Sequence, residues 1–98
     1  MNKYKTILKE IGYESEDSAL RDIALFQSLF KLDQYKAECE FYKKKYGKNY
    51  LALKKEVRRK KGMEDFQLEN DLEDWQFAVN AIKWWSGKIR ELKNAKAV

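Results

Sequence analysis

The feature that most constrains the fold is a stretch of 32 residues, Ser15 to Tyr46, that contains neither glycine nor proline. Gly12 and Gly47 flank it on the two sides. Ser15 is a favourable helix N-cap, and the acidic residues that follow it and the three lysines near Tyr46 suit the two ends of a helix dipole. We therefore predict one long helix over residues 15–46.

This helix carries an apolar seam along one side. Its members, which recur every three to four residues, are Leu25, Leu32, Tyr35, Cys39, Tyr42 and Tyr46. Only Ser28 interrupts this coiled-coil-like spacing. Between Ile23 and Leu32 apolar side chains cover most of the circumference, and such a helix has to be covered on several sides.

The length of the helix favours self-association. It would span about 48 Å, whereas a compact monomer of 98 residues has a diameter of about 33 Å. The helix must overhang, break near Asp33–Gln34, or be matched by a second chain, and we favour the second chain. We expect a homodimer or higher oligomer. Its interface would consist of seam residues of the long helix and one tryptophan of the last helix, namely Leu25, Leu32, Tyr35, Cys39, Tyr42 and Trp84.

Three further helices are expected around the long one. Residues 3–11 have helical apolar spacing and end at Gly12, although a β-strand is the alternative here, because small DNA-binding repressors place a strand before such a helix. A basic helix is predicted over residues 49–61, with Asn49 as its cap. A final amphipathic helix is predicted over residues 70–93.

The last helix is the most regular of the four. Asn70 and Glu73 form a variant of the capping box at its start. Gly87 interrupts its apolar stripe and suggests a close contact with another helix. The predicted architecture is all-α, a single domain over residues 1–98 in which two short and two long helices form a helical hairpin or bundle.

The composition argues against catalysis. The chain has no histidine, one cysteine and no glycine-rich phosphate-binding motif, so it lacks the commonest general base and metal ligand. We expect a non-enzyme without metal or cofactor. The single cysteine fits a reducing compartment, and no stretch is apolar enough to span a membrane, so a cytoplasmic protein without membrane contact is expected.

The charges are strongly segregated along the sequence. Residues 43–61 hold ten basic side chains and one acidic side chain, whereas residues 64–74 hold six acidic side chains and no basic one. A basic block of this kind favours a polyanion such as nucleic acid. The candidate contacts are Lys54, Lys55, Arg58, Arg59, Lys60 and Lys61. The alternative is a solvated face that the neighbouring acidic segment neutralises.

Trp84 lies off the apolar stripe of the last helix, whereas Trp75 and Trp85 lie on it. Trp75 and Trp85 are therefore expected in the core. Trp84 either closes a groove within the chain or belongs to an interface, where tryptophan is enriched, and we prefer the interface.

Three segments resemble small helical archaeal and bacterial proteins that are regarded as antitoxins. Residues 41–47 are similar to their F-x-x-K-Y-G segment, and residues 71–78 resemble their D-x-x-E-W-x-x-A segment. Residues 12–22 are similar to the G-[FY]-x-S-x-E-x-A-L-R-[DE] helix start of antitoxin N-terminal domains. The likeness covers roughly residues 12–92. It implies a cytoplasmic, dimeric antitoxin whose C-terminal helix masks a toxin, with repression of its own operon as a further role.

These observations lead to one preferred function and two alternatives. The preferred one is a non-catalytic, antitoxin-like protein that binds a cognate toxin-like partner through its C-terminal helix. In this interpretation the acidic residues 64–74 match a basic surface of the partner. The first alternative is a nucleic-acid-binding protein that uses residues 43–61. The second is a structural protein whose activity is oligomerisation.

Overall fold

A computed structural model describes residues 3–59 and 65–95. Within these residues the chain forms four α-helices and no strand: α1 (Lys3–Glu10), α2 (Glu16–Tyr46), α3 (Tyr50–Arg59) and α4 (Phe66–Asn94). The all-α prediction with two short and two long helices is confirmed, and the segment before Gly12 is a helix rather than a strand. Among the described helices, none combines the length and the apolar character needed to cross a bilayer.

Local sequence signals define both ends of α2. The Ser15 hydroxyl accepts a hydrogen bond from the Ser18 N–H, which satisfies one of the free donors of the first turn. At the other end Gly47 adopts the left-handed conformation with φ of 67°, and its N–H donates to the Lys43 carbonyl. The helix is continuous between these caps, so the break considered near Asp33–Gln34 does not occur.

The connections on either side of α2 are also set locally. Gly12, with φ of 105°, ends α1, and the Tyr13 N–H donates to the Leu8 carbonyl in the pattern of a Schellman motif. Asn49 caps α3, because its side-chain oxygen accepts from the Ala52 N–H at 2.8 Å.

Helix α4 begins earlier than the sequence pattern predicted. Asp65 is its N-cap, with the carboxylate accepting from the Leu68 N–H at 3.1 Å. Asn70 and Glu73, the predicted capping pair, therefore lie inside the helix. Two cap signals follow each other closely in this acidic segment, and the earlier one adds a full turn that carries Phe66 and Leu68.

Trp75 fixes how α2, α3 and α4 meet. Its indole is 3% exposed and stacks on the rings of Tyr42 and Tyr46, at centroid distances of 5.8 and 6.4 Å. Tyr50 at the start of α3 meets the same indole edge-on at 5.7 Å. One side chain thus joins the end of α2, the start of α3 and the first half of α4.

The opposite end of the hairpin is joined by a polar contact. The Arg21 guanidinium donates to the Leu92 carbonyl at 2.9 Å, which satisfies a free acceptor in the last turn of α4. Together with the Trp75 contacts, this bond shows that α2 and α4 run antiparallel. Ser28, the interruption of the apolar seam, is buried and donates to the Ala24 carbonyl at 2.7 Å.

The molecule is elongated and its interior is small. Its principal extents are 65 × 24 × 20 Å, and its radius of gyration is 20.0 Å, compared with about 13 Å for a compact chain of this length. The buried apolar side chains among the described residues are Ala19, Leu53, Trp75, Ala78 and Ile89. The long helix is therefore matched by α4 of its own chain, and the pair remains a two-helix layer along much of its length.

A small ionic cluster forms a further contact between α2 and α4, close to Trp75. The Lys45 ammonium lies 2.5 Å from the Asp71 carboxylate, and the Tyr46 hydroxyl donates to the same carboxylate oxygen. The bonds from Lys45 and Tyr46 lower the pKa of Asp71. Burial raises the pKa of Tyr46 to about 12, and its bond to Asp71 acts in the same direction.

Among the described residues of the chain, no close helix contact forms at Gly87, where one was predicted. A Cβ placed on this residue meets no neighbouring atom within 4 Å. The prediction was wrong because a glycine within an apolar stripe does not by itself bring a second backbone near.

We expect Gly87→Ala to stabilise the protein by about 0.5–1 kcal/mol, because alanine has the higher helix propensity and its methyl group has room. The matched control is Gly47→Ala, where the positive φ makes the same substitution destabilising by about 1–2 kcal/mol. Urea unfolding of both variants at one protein concentration measures the two effects. A change of the same sign in the free energy of unfolding for both substitutions would contradict this prediction.

Asp71→Asn is expected to lower the free energy of unfolding by roughly 1 kcal/mol at pH 7. Because the pKa of Asp71 is lowered in the folded state, its stabilising effect is present at neutral pH and is lost as the pH falls below about 4. The difference between parent and variant should therefore shrink as urea titrations move from pH 7 to pH 3. The control is Glu73→Gln on an exposed position of α4, which removes a carboxylate of the same helix and leaves the bonds of Asp71 to Lys45 and Tyr46 in place.

Candidate protein-binding surface

The predicted dimer seam of α2 faces α4 of the same chain. Tyr42 stacks on Trp75, and Tyr35 meets Phe77 edge-on at 5.8 Å. Cys39, between them on the seam, is half-buried and lines the same pocket as Trp75. Leu25 and Leu32 continue the same side of the helix and are half-buried. The structure thus places Tyr35, Cys39 and Tyr42 against α4 of the same chain, with Leu25 and Leu32 on the same side of α2.

The sixth predicted interface residue, Trp84, lies at the edge of this contact. It is 56% exposed, and it meets the ring of Trp85 edge-on at 4.7 Å. The two rings border a groove of about 410 Å³ between α2 and α4. Its lining residues are Tyr35, Phe77, Asn80, Ala81, Trp84 and Trp85.

This groove continues along the hairpin past Tyr35 and Phe77. Those two residues also line an adjoining depression of about 490 Å³. The other residues of the depression are Gln34, Ala37, Glu38, Phe41, Tyr42 and Asp74. We call the two parts together the aromatic groove. It is an open concave surface on one flank of the α2–α4 hairpin.

Several large side chains of the aromatic groove remain in contact with solvent. Phe77 is 63% exposed and Phe41 is 60% exposed. Single exposed apolar residues are common on protein surfaces, but adjoining aromatic ones in a concavity are typical of interaction sites. The spacing of Phe77, Ala81 and Trp84 by four and three residues marks this second stripe in the sequence. Phe41 carried no such signal and was missed.

The two ends of the aromatic groove differ in charge. Asp74 and Glu38 contribute carboxylates at one end. At the other end the Lys88 ammonium lies 5.2 Å from the centre of the Trp84 ring, in cation–π geometry, and 3.4 Å from the Glu91 carboxylate. Asp71, which the sequence offered to a partner, is instead bonded to Lys45 and Tyr46. Asp74 is an exposed carboxylate of α4 that lines the groove beside Phe77.

A separate pocket of about 540 Å³ lies between α3 and the hairpin, and Cys39, Tyr50 and Trp75 are among its lining residues. Burial raises the pKa of the Cys39 thiol, and the neighbouring Glu38 carboxylate acts in the same direction. Both effects disfavour the reactive thiolate form. Across residues 3–59 and 65–95, no three histidine, cysteine, aspartate or glutamate side chains are grouped closely enough to hold a metal ion.

The basic helix α3 turns its apolar side inward. Leu53 is 5% exposed, and the Lys54 ammonium lies 5.7 Å from the centre of the Tyr50 ring. The candidate residues Lys55, Arg58 and Arg59 are exposed and form no ion pair within the described part of the chain. Lys60 and Lys61 lie outside the described residues.

The rest of the basic block is partly neutralised within the fold. Lys45 pairs with Asp71, and Lys48 pairs with Glu56. The neutralisation by the acidic segment 64–74 that was considered from the sequence is therefore seen for Lys45, through Asp71, whereas Lys48 pairs with an acidic residue of the basic block itself. Within the described residues, Lys55, Arg58 and Arg59 form no ion pair.

Comparisons with protein-family models, curated proteins and solved structures found no match to this chain. The resemblance to antitoxin-like helical proteins therefore rests on its short motifs and stays a prediction.

Proposed function

We propose that this chain is a non-catalytic binding protein that receives a helix of a partner protein in the aromatic groove. The observation that carries the proposal is the exposure of Phe77 and Trp84 in a concave surface between two long helices. Large aromatic side chains of this kind supply much of the binding energy in protein interfaces.

The shape of the groove favours a helical occupant. It runs between antiparallel helices, so a third helix laid into it would complete a three-helix arrangement and cover the aromatic rings. From Asp74 to Lys88 the path along α4 is about 21 Å, which a helix of about 14 residues also spans. The occupant would present apolar side chains at positions i, i+3 or i+4, and i+7.

The charge of the groove favours a partner with basic residues near one end of that helix. Asp74 and Glu38 would attract lysine or arginine at one end, whereas at the opposite end the charge of Lys88 is already paired with Glu91. This agrees in sign with the basic toxin-like partner that the antitoxin resemblance implies. The mechanism differs in one respect from the expected one, because the stripe containing Trp75 and Ile89 is already buried against the chain itself. The partner would be masked by the exposed edge of α4 and by α2.

A synthetic peptide tests this proposal directly. The probe is a fluorescein-labelled helical peptide of about 14 residues with leucines on one face and lysines at one end, and anisotropy measures its binding. We expect the double variant Phe77→Ser, Trp84→Ser to weaken binding by about tenfold or more. A peptide with glutamates in place of the lysines should bind the parent protein more weakly.

The control is the double variant Phe66→Ser, Leu51→Ser, because these side chains are 69% and 65% exposed and do not line the aromatic groove. It should retain the affinity of the parent. An equal loss in both double variants, or no binding of the peptide to the parent protein, would overturn the proposal.

A second candidate function is non-specific nucleic-acid binding by α3, and the specific observation is the exposure of Lys55, Arg58 and Arg59 without ion pairs in the described residues. If α3 contacts DNA, the triple reversal of these residues to glutamate should abolish retention of a short duplex at low salt. Loss of three phosphate contacts corresponds to a decrease of about 2.7 in the slope of log K against log salt.

The matched control reverses three exposed lysines of α1, Lys3, Lys5 and Lys9, to glutamate. It changes the net charge by the same amount. Fluorescence titrations over a range of salt concentrations compare the two triple variants. If both weaken binding equally, net charge rather than α3 is responsible, and α3 is a solvated face.

A further inference from the structure

The chain exposes more surface than a compact monomer of its size. Its accessible surface is 8025 Å², whereas a compact protein of 11.8 kDa exposes about 5,900 Å². The excess is about 2,100 Å² per chain, and a typical stable interface buries about 800 Å² on each partner. The exposed surface is therefore large enough for an extensive interface between two chains.

Much of the exposed apolar surface of α2 lies opposite α4. Ile23, Phe26 and Phe30 are 55%, 63% and 65% exposed. Phe30 precedes Cys39 of the inward seam by nine residues, which places the two side chains about 180° apart on the helix. Ala37 follows Phe30 by seven residues on the same side. We call Ile23, Phe26, Phe30 and Ala37 the outer face of α2.

The charges at the two ends of α2 favour one particular occupant, an antiparallel second copy of the same helix. The first turn carries Glu16 and Asp17, and the last turn carries three consecutive lysines. A two-fold axis near Phe30 would bring Glu16 level with Lys44 of the second copy and Ile23 level with its Ala37. Antiparallel helix dipoles also attract, whereas a parallel pair would set like charges beside each other.

We propose that the protein is a homodimer in which the outer faces of two α2 helices pack antiparallel, with Phe30 at the two-fold axis. This interface differs from the seam that the sequence suggested, because that seam is used within the chain. Ala37 of the outer face also lines the depression beside Tyr35, so the interface adjoins that end of the aromatic groove. The part of the groove around Trp84 lies on another side of α2. The proposal therefore goes beyond the proposed function and does not depend on it.

The first test is the mass in solution by size-exclusion chromatography with light scattering. The parent protein should have about twice the chain mass of 11.8 kDa. Phe30→Glu should give the monomer mass, because it places two carboxylates at the axis. Leu51→Glu is the control, since Leu51 is 65% exposed on α3 and should leave the dimer intact. Circular dichroism of both variants should show unchanged helix content.

The second test fixes the orientation by cross-linking. In a Cys39→Ser background, Phe30→Cys should form an intermolecular disulfide, whereas Ala37→Cys should not. In the antiparallel dimer the two copies of position 37 are separated by about 21 Å, and a disulfide needs Cα atoms closer than about 7 Å. Disulfides at both positions would show a parallel pair and overturn the antiparallel arrangement.

A monomer mass for the parent protein would overturn the dimer itself. This outcome is distinguishable from failure of the proposed function, because the double variant Phe77→Ser, Trp84→Ser should keep the dimer mass. A dimer mass that persists in Phe30→Glu would also contradict the proposal, since association would then use another surface.

Discussion

The structure depends on the burial of Trp75 between two tyrosines of α2 and one of α3. An indole of this size, 3% exposed, contributes several kcal/mol to a domain with few other buried side chains. The stacking of Tyr42 and Tyr46 on one side and the edge of Tyr50 on the other fixes how α2 and α4 align along their axes. This alignment decides which side chains of α2 and α4 are buried between the helices and which remain exposed.

The alignment divides α2 into sides with different roles. The inward seam is used by Trp75, the flank next to Trp84 forms the aromatic groove, and the outer face with Phe26 and Phe30 points to solvent. A two-helix layer cannot cover a helix that is apolar nearly all round. The same geometric limit therefore underlies both proposed interactions, one with a partner helix in the groove and one with a second copy on the outer face.

Residue types in the sequence predicted the helix ends correctly where each end depends on hydrogen bonds between residues close in sequence. Ser15, Gly47 and Asn49 act as caps through hydrogen bonds to residues at most four positions away, and each was recognisable from the residue type. The start of α4 was placed too late because two possible N-caps, Asp65 and Asn70, lie close together, and only the Asp65 bond to Leu68 distinguishes them. The contact inferred at Gly87 failed since it required knowledge of a second backbone.

The sequence by itself determined the helix inventory and the two-sided apolar character of α2, because both follow from the spacing of residues and from short-range capping. Only the tertiary structure decided which side of α2 meets α4. The seam through Cys39 and the side through Phe30 are both apolar. Periodicity alone does not tell which of them packs against another helix of the same chain. The stacking partners of Trp75 lie 25 to 33 residues away in sequence, and that long-range contact made the choice.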